Sequence, residues 1–186
     1  MDRLQAGLDS IRASPCDDGL VEMIVRRPEV DAREELAECR LDCVEGLVGD
    51  GWRARSLAED PAAAPNTDTQ LTLMNARVIQ LVAQERPRWS LAGDQLFVDL
   101  DLSTANLPPG TRLRLGSAVI EVSPEPHTGC RKFVSRYGLD AMKFVNSPVG
   151  RQLNLRGLNA RVVEGGTVRV GDRIRKIGIH SDGILA

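Results

Sequence analysis

The segment His127-Thr128-Gly129-Cys130-Arg131-Lys132-Phe133 puts a thiol, an imidazole and two cations within one short stretch. A glycine beside the thiol lets a ligand or another backbone come close. Arg131 and Lys132 favour the thiolate, the form that attacks electrophiles or ligates metals. His127, one of two histidines in the chain, stands just before the sulfur. The residues leave three readings open. Cys130 is a soft ligand for a soft metal centre, or it is itself the reagent as a persulfide, or it is a small packed side chain without chemistry.

Other chemistries have less support. A Ser–His–Asp hydrolase needs a histidine base, and only His127 and the tail residue His180 are present, with no Gly-x-Ser-x-Gly elbow. There is no Walker loop and no Gly-x-Gly-x-x-Gly. Three lysines stand against 21 arginines. A Schiff-base enzyme would need one of the three desolvated. Arg131, Lys132, Arg136, Arg151 and Arg156 cluster in sequence around Cys130, and the planar guanidinium fork suits a phosphorylated ligand. Cys16, Cys39 and Cys43 read as reduced thiols. Four cysteines are too few for a disulfide framework, and the spacing of Cys39 and Cys43, on one face of an expected helix, is not that of a zinc ribbon.

The elements that must position these residues are mostly strands. Leu20 to Val25 is rich in β-formers and ends at Arg26-Arg27-Pro28. Asp31 to Arg40, rich in Glu and Ala, reads as a short helix with a charged solvent face. Residues 52–68, with Pro61 and Pro65 and few large apolar side chains, read as a mobile surface loop. Leu71 to Met74 is a strand. Asn75 then caps a helix through Gln84 that buries Val78, Ile79 and Val82. A helix starting directly after a strand offers backbone N–H groups to an anion, so Asn75 and Arg77 are candidate binding residues. Leu96, Val98, Leu100 and Leu102 alternate with Phe97, Asp99 and Asp101, which puts the two aspartates on one strand face. Arg112 to Leu115 and Ala118 to Val122 form a hairpin about Gly116-Ser117, and the Cys130 loop follows it. Gly138 to Asn146 suits a short helix, and Ser147-Pro148 begins another. Gly157 to Glu164 and Thr167 to Val170, joined by Gly165-Gly166, read as a hairpin, followed by a strand from Arg173 to Ile177. This pattern predicts a mainly β fold with a few helices, a closed or nearly closed antiparallel β-barrel, as one domain over residues 1–186.

Bulk properties bound the partners. Net charge is −2 and aromatics make up 3% of the chain, so neither a polyanion surface nor base stacking is favoured, and no nucleic acid is expected. The polar N-terminus has no apolar core of a signal peptide. No stretch reaches the ~20 apolar residues of a membrane helix. The expected location is the cytoplasm, without a membrane partner.

Several segments together resemble the MOSC domain family, named for the C-terminal domain of molybdenum cofactor sulfurases. They are Gly93-Asp94-Gln95 through Leu102, Leu113 to Val122 with its Gly116 turn, and His127 to Phe133. Arg156-Gly157 and Val168-Arg169-Val170-Gly171-Asp172 complete the set. The likeness is good over residues 70–177, and Leu20 to Val25 looks like the family's first barrel strand. The resemblance implies a barrel-like fold and a role around molybdenum cofactor, a phosphorylated pterin dithiolene. It makes Cys130 the functional thiol, ligating molybdenum in cofactor-dependent reductases and handling sulfur in sulfurases. It makes Lys132 and Arg156, with Arg131 beside them, candidates for the cofactor's phosphate. His127 becomes a candidate proton donor or hydrogen-bond partner. The chain lacks a PLP-dependent desulfurase domain and a four-cysteine ferredoxin motif. Reduction of an N-oxygenated substrate would need a separate electron-donor reductase, and sulfur carriage would need a separate cysteine desulfurase.

Overall fold

A computed structural model describes residues 1–59 and 63–178. His180 lies outside the described residues. In chain order the elements are α1 (Asp2–Ala6), α2 (Leu8–Arg12), β1 (Gly19–Arg26), β2 (Glu34–Leu36), β3 (Glu38–Asp42), β4 (Gly46–Leu47) and α3 (Trp52–Glu59). There follow β5 (Leu71–Asn75), α4 (Ala76–Ala83), β6 (Leu96–Asp99), β7 (Arg112–Leu115), β8 (Ala118–Val122) and α5 (Arg131–Val145). The chain continues with α6 (Pro148–Gln152), β9 (Leu158–Glu164), β10 (Gly166–Arg169) and β11 (Arg173–Ile177).

Seven strands close into a barrel in the order β11-β7-β8-β9-β5-β6-β1, with β1 returning to β11. β2 extends the sheet from the later half of β1, where Ile24 faces Leu36. Alternation builds the barrel interior: Leu71 and Leu73, Leu96 and Val98, Leu113 and Leu115 all join one buried cluster. The intervening residues of several strands face a second cluster under the helices. Phe97 and Met74 meet Val78, Ile79, Phe133 and Phe144 there. Two buried faces explain why β5 and β6 are buried at almost every position.

The barrel is not wholly antiparallel, which corrects the antiparallel barrel expected from the sequence pattern. β5 and β6 pair in parallel, Leu73 opposite Leu96 and Asn75 opposite Val98. The cause is the α4 crossover between them, which returns the chain to the same end of the sheet before β6 begins.

Four further expectations change. The segment from Asp31 to Arg40 contains no helix but two strands, β2 and the start of β3. Cys39 and Leu41 point inward while Glu38 and Arg40 stay exposed, a period of two that pairing with β10 enforces over local propensity. Cys39 is therefore buried and Cys43 exposed, and they share no helix face. Residues 52–68 are not one loop: α3 buries Trp52, and Asn66 caps a short turn at Thr67–Thr69. The segments on either side of Gly165-Gly166 do not pair with each other. β9 stays in the barrel against β8 and β5, whereas β10 leaves it to pair with β3 in a small second sheet. A side chain at Gly166 would meet the Ser117–Ala118 backbone at 2.5 Å, so the chain runs tightly against the β7–β8 turn as it leaves the barrel. Finally, Asp99 ends β6, and Asp101 lies beyond it, accepting hydrogen bonds from Ser103.

Candidate functional site

Four places in the chain converge on one cleft. They are the end of β1 with its following loop, the Ala92–Gly93 approach to β6, the His127–Cys130 loop with the start of α5 that follows it, and Arg156 before β9, and Arg55 of α3 joins them. The cleft has a volume of about 220 Å³.

Cys130 sits at its edge, exposed, as the residue capping α5. The helix starts at Arg131, earlier than the expected start at Gly138, and Gly138 instead kinks it with φ 87°. The preceding turn is pinned: Gly129 donates to Asn146 Oδ1 at 2.9 Å, and Asn146 Nδ2 donates back to the Gly129 carbonyl at 3.2 Å. The sulfur closes no capping hydrogen bond. Its pKa is nonetheless lowered. Burial pushes it up, but the amides of Phe133 and Lys132 at the helix start and the charges of Arg156 and Arg136 outweigh that effect.

Behind Cys130 lies a buried network centred on Asp94. Its carboxylate, fully buried, accepts from Arg156 at 2.7 Å and from His127 Nε2 at 2.9 Å. Burial raises the Asp94 pKa, yet Arg156 and His127 hold it well below the usual range. His127 is pulled down from its ordinary value, first by burial and then by the Arg156 charge, against the opposing pull of Asp94. An ionised Asp94 can only accept, so neutral His127 donates from Nε2 and keeps Nδ1 as an acceptor. Arg156 also donates to the Ala92 carbonyl and lies over the Phe133 ring at 5.1 Å, with its Nε unpartnered.

A second buried carboxylate, Asp50, holds the opposite wall. Arg27 grips both of its oxygens, at 2.9 and 3.0 Å, and donates to the Gly93 carbonyl, while Arg55 donates at 3.1 Å. Burial raises the Asp50 pKa, and the hydrogen bonds and charges of Arg27 and Arg55 bring it below the usual value.

Of the candidate residues read from sequence, the structure brings Cys130, His127, Lys132, Arg136 and Arg156 to this cleft. Arg131 and Arg151 are exposed and do not line it. Asn75 and Arg77 are elsewhere. Asn75 caps α4 and donates to Ser14 and to the Leu100 carbonyl, and Arg77 is locked by Asp99 at 2.7 and 3.0 Å. Arg77 borders a different, larger cavity of about 600 Å³. Arg27, Arg33 and Arg55 are not evident from sequence: Arg26-Arg27-Pro28 reads as a strand terminator, Arg33 as part of a solvated helix face and Arg55 as part of a surface loop. Among the described residues, no three His, Cys, Asp or Glu side chains converge as a metal-ligand group.

The geometry of barrel and thiol agrees with a match of the MOSC domain pattern to residues 60–175. This chain belongs to the MOSC domain family. The match spans Cys130, Asp94 and Arg156 but stops short of Arg27, Arg33 and Arg55. Among solved structures, this MOSC protein is similar to one described only as hypothetical, at 21% identity and TM-score 0.60, covering 89% of this chain and 71% of that one. It is also similar to YuaD from Bacillus subtilis (18%, 0.56, 84% and 93%). A third is YiiM from Escherichia coli (21%, 0.51, 88% and 72%). At these identities the likeness establishes the MOSC fold. No curated protein matches the sequence. Among the described residues, no helix is long and apolar enough to cross a membrane.

Proposed function

We propose that the Cys130 cleft binds molybdenum cofactor, with the Cys130 thiolate as the protein's ligand to the metal. The observation that carries this reading is an exposed thiol of lowered pKa, facing a cation-rich cleft in which the described residues gather no set of three metal-ligating side chains. A lone soft ligand suits a metal that arrives with its own sulfur ligands, as in a dithiolene, and the family is associated with this cofactor. The donor set fits: Lys132 lines the cleft without an ion pair among the described residues, and Arg156 Nε is buried without a partner. The volume is below the ~300–1,000 Å³ of pockets that enclose whole organic ligands, so part of the cofactor would remain exposed.

When bound, the cofactor supplies two-electron redox chemistry at substrate oxygen. The chain's own residues perform the remaining tasks. Cys130 binds, and the Asn146–Gly129 pair orients it. Lys132 and Arg136 neutralise anionic groups at the mouth. Asp94 holds Arg156 and His127 in place, and His127 presents only an acceptor nitrogen, a positioning role more than proton donation. Reduction of an N-oxygenated substrate is the activity to look for, with electrons from a separate reductase. The test is molybdenum and pterin content of protein from a cofactor-competent host. Near-stoichiometric metal, lost in Cys130→Ala, is the expected result. Metal absent from both, where another cofactor enzyme in the same cells is loaded, overturns it.

The exposure of Cys130 also favours a second reading, persulfide carriage supplied by a cysteine desulfurase. It predicts an adduct of about 32 Da, one sulfur atom, on Cys130 after incubation with a desulfurase. A mass unchanged under non-reducing conditions excludes it.

A further inference from the structure

The loop between β1 and β2 closes one side of the cleft, and it carries Asp31 and Arg33. Arg33 and Arg136 converge over Gly93: a Cβ placed there would lie 3.6 Å from an Arg33 nitrogen and 3.7 Å from an Arg136 nitrogen. Two guanidinium groups brought to one spot repel each other unless an anion lies between them. Arg33 has no carboxylate at ion-pair distance among the described residues. Its hydrogen bond goes to the neighbouring Ala32 carbonyl, and its buried Nε has no partner. Arg136 is held differently, by the Leu91 carbonyl at 2.7 Å and by Asp31 at 3.0 Å. Asp31 reaches that position from a left-handed backbone, φ 63°, and its carboxylate is 69% exposed.

We propose that Arg33 and Arg136 form a binding site for a dianionic oxyanion of the phosphate or sulfate type, and that Asp31 occupies Arg136 as an internal competitor for it. The inference rests on the cleft being a binding site and not on a metal at Cys130. A carboxylate carries one charge and here engages one arginine. A dianion with three free oxygens can bridge both guanidinium forks and satisfy the Arg33 Nε. Burial together with the charges of Arg136, Arg27 and Arg55 already disfavours the charged form of Arg33, which Asp31 only partly offsets. An incoming dianion relieves that repulsion and frees Asp31 into water, where its exposure leaves it little to lose.

The test compares wild type with Asp31→Asn, which keeps the left-handed backbone that Asn tolerates. Inorganic phosphate and glycerol phosphate are titrated separately by calorimetry. Removing the competitor should tighten binding about 2- to 5-fold, the range of an exposed ion pair. Arg33→Gln and Arg136→Gln should each weaken binding, and having two variants guards against one that fails to fold. Tightening toward both probes supports an oxyanion site as such. Tightening toward the ester alone supports a ligand that carries its phosphate. Binding that Asp31→Asn leaves unchanged or weaker for both probes overturns the proposal, whatever the metal content of the protein.

Discussion

At the scale of single residues, the site depends on two buried carboxylates, each of which holds a pair of cleft residues. Removing one partner of a buried pair leaves the other charge without compensation, which costs about 3–5 kcal/mol. Asp94→Asn keeps the shape but abandons Arg156, whose side chain is only 7% exposed, so chemical denaturation should show a loss of that size. A loss under ~1 kcal/mol would mean that Arg156 finds another partner. The same network sets a dependence on pH. His127 has a lowered pKa in the folded protein, so the unfolded chain takes up that proton at higher pH than the folded one. The stability gained by keeping His127 neutral is complete above its unfolded pKa of about 6.5 and is lost as pH falls from there toward the folded value. Asp94, also lowered, adds a second loss that begins below about pH 4. Unfolding midpoints should therefore decline from pH 7 to pH 5 in wild type and decline less in His127→Gln, which can still donate to Asp94. Equal slopes would remove His127 from the account.

At the scale of elements, the fold positions the cleft through close backbone approaches. Gly157 opens β9 at φ 112°, and a Cβ there would lie 2.2 Å from the Leu73 carbonyl of β5. Gly157→Ala combines a backbone that side chains rarely adopt with a direct clash, and should cost more than about 2 kcal/mol. Because Arg156 adjoins it, the same change should also reduce ligand retention in whatever fraction still folds. A thermal midpoint within error of wild type would show that the strand can shift. The sequence made such positions visible wherever one local signal acted alone. Alternation revealed β6, a run of β-formers revealed β1, the Gly116-Ser117 turn revealed the β7–β8 hairpin, and Asn75 and Ser147 marked helix starts that their side chains do cap. It misled where a distant partner decided the outcome. Glu34 to Arg40 looks helical by composition but pairs with β1 and β10. Gly138 marked a true discontinuity but sits inside α5, which begins upstream at Arg131. The cleft divides the same way. Cys130, Lys132 and Arg136 are neighbours in one stretch of chain and could be read together. Arg27, Arg33 and Arg55 come from more than seventy residues away, and only the closed barrel brings them in.

At the scale of the whole molecule, charge is segregated. The chain has a net charge of −2, which by itself would repel an anionic ligand. Yet six cations line the Cys130 cleft against the carboxylates of Glu29 and Asp31, and the two buried aspartates beneath it, Asp50 and Asp94, answer only part of that charge. The local potential should therefore have the opposite sign to the molecule as a whole, and Cys130 stands where it can report it. Iodoacetate and iodoacetamide alkylate thiolates by the same reaction but differ by one negative charge. The ratio of their rates at Cys130 should exceed the ratio at Cys16 and Cys43, both exposed but outside the cleft. Cys39 should react with neither in the folded protein, since burial pushes its thiol up to about 12. Screening supplies the control. The Debye length shrinks from about 10 Å at 0.1 M salt to about 3 Å at 1 M, so the excess at Cys130 should decay over that range, and the ratio cancels any change in thiolate population because both reagents attack the same thiolate. Arg136→Gln should lower the excess even at low salt. A ratio at Cys130 no higher than at the other exposed thiols would mean that the buried aspartates neutralise the arginines completely. The cleft would then have no electrostatic reason to select anions, and its ligand would have to be sought among neutral molecules.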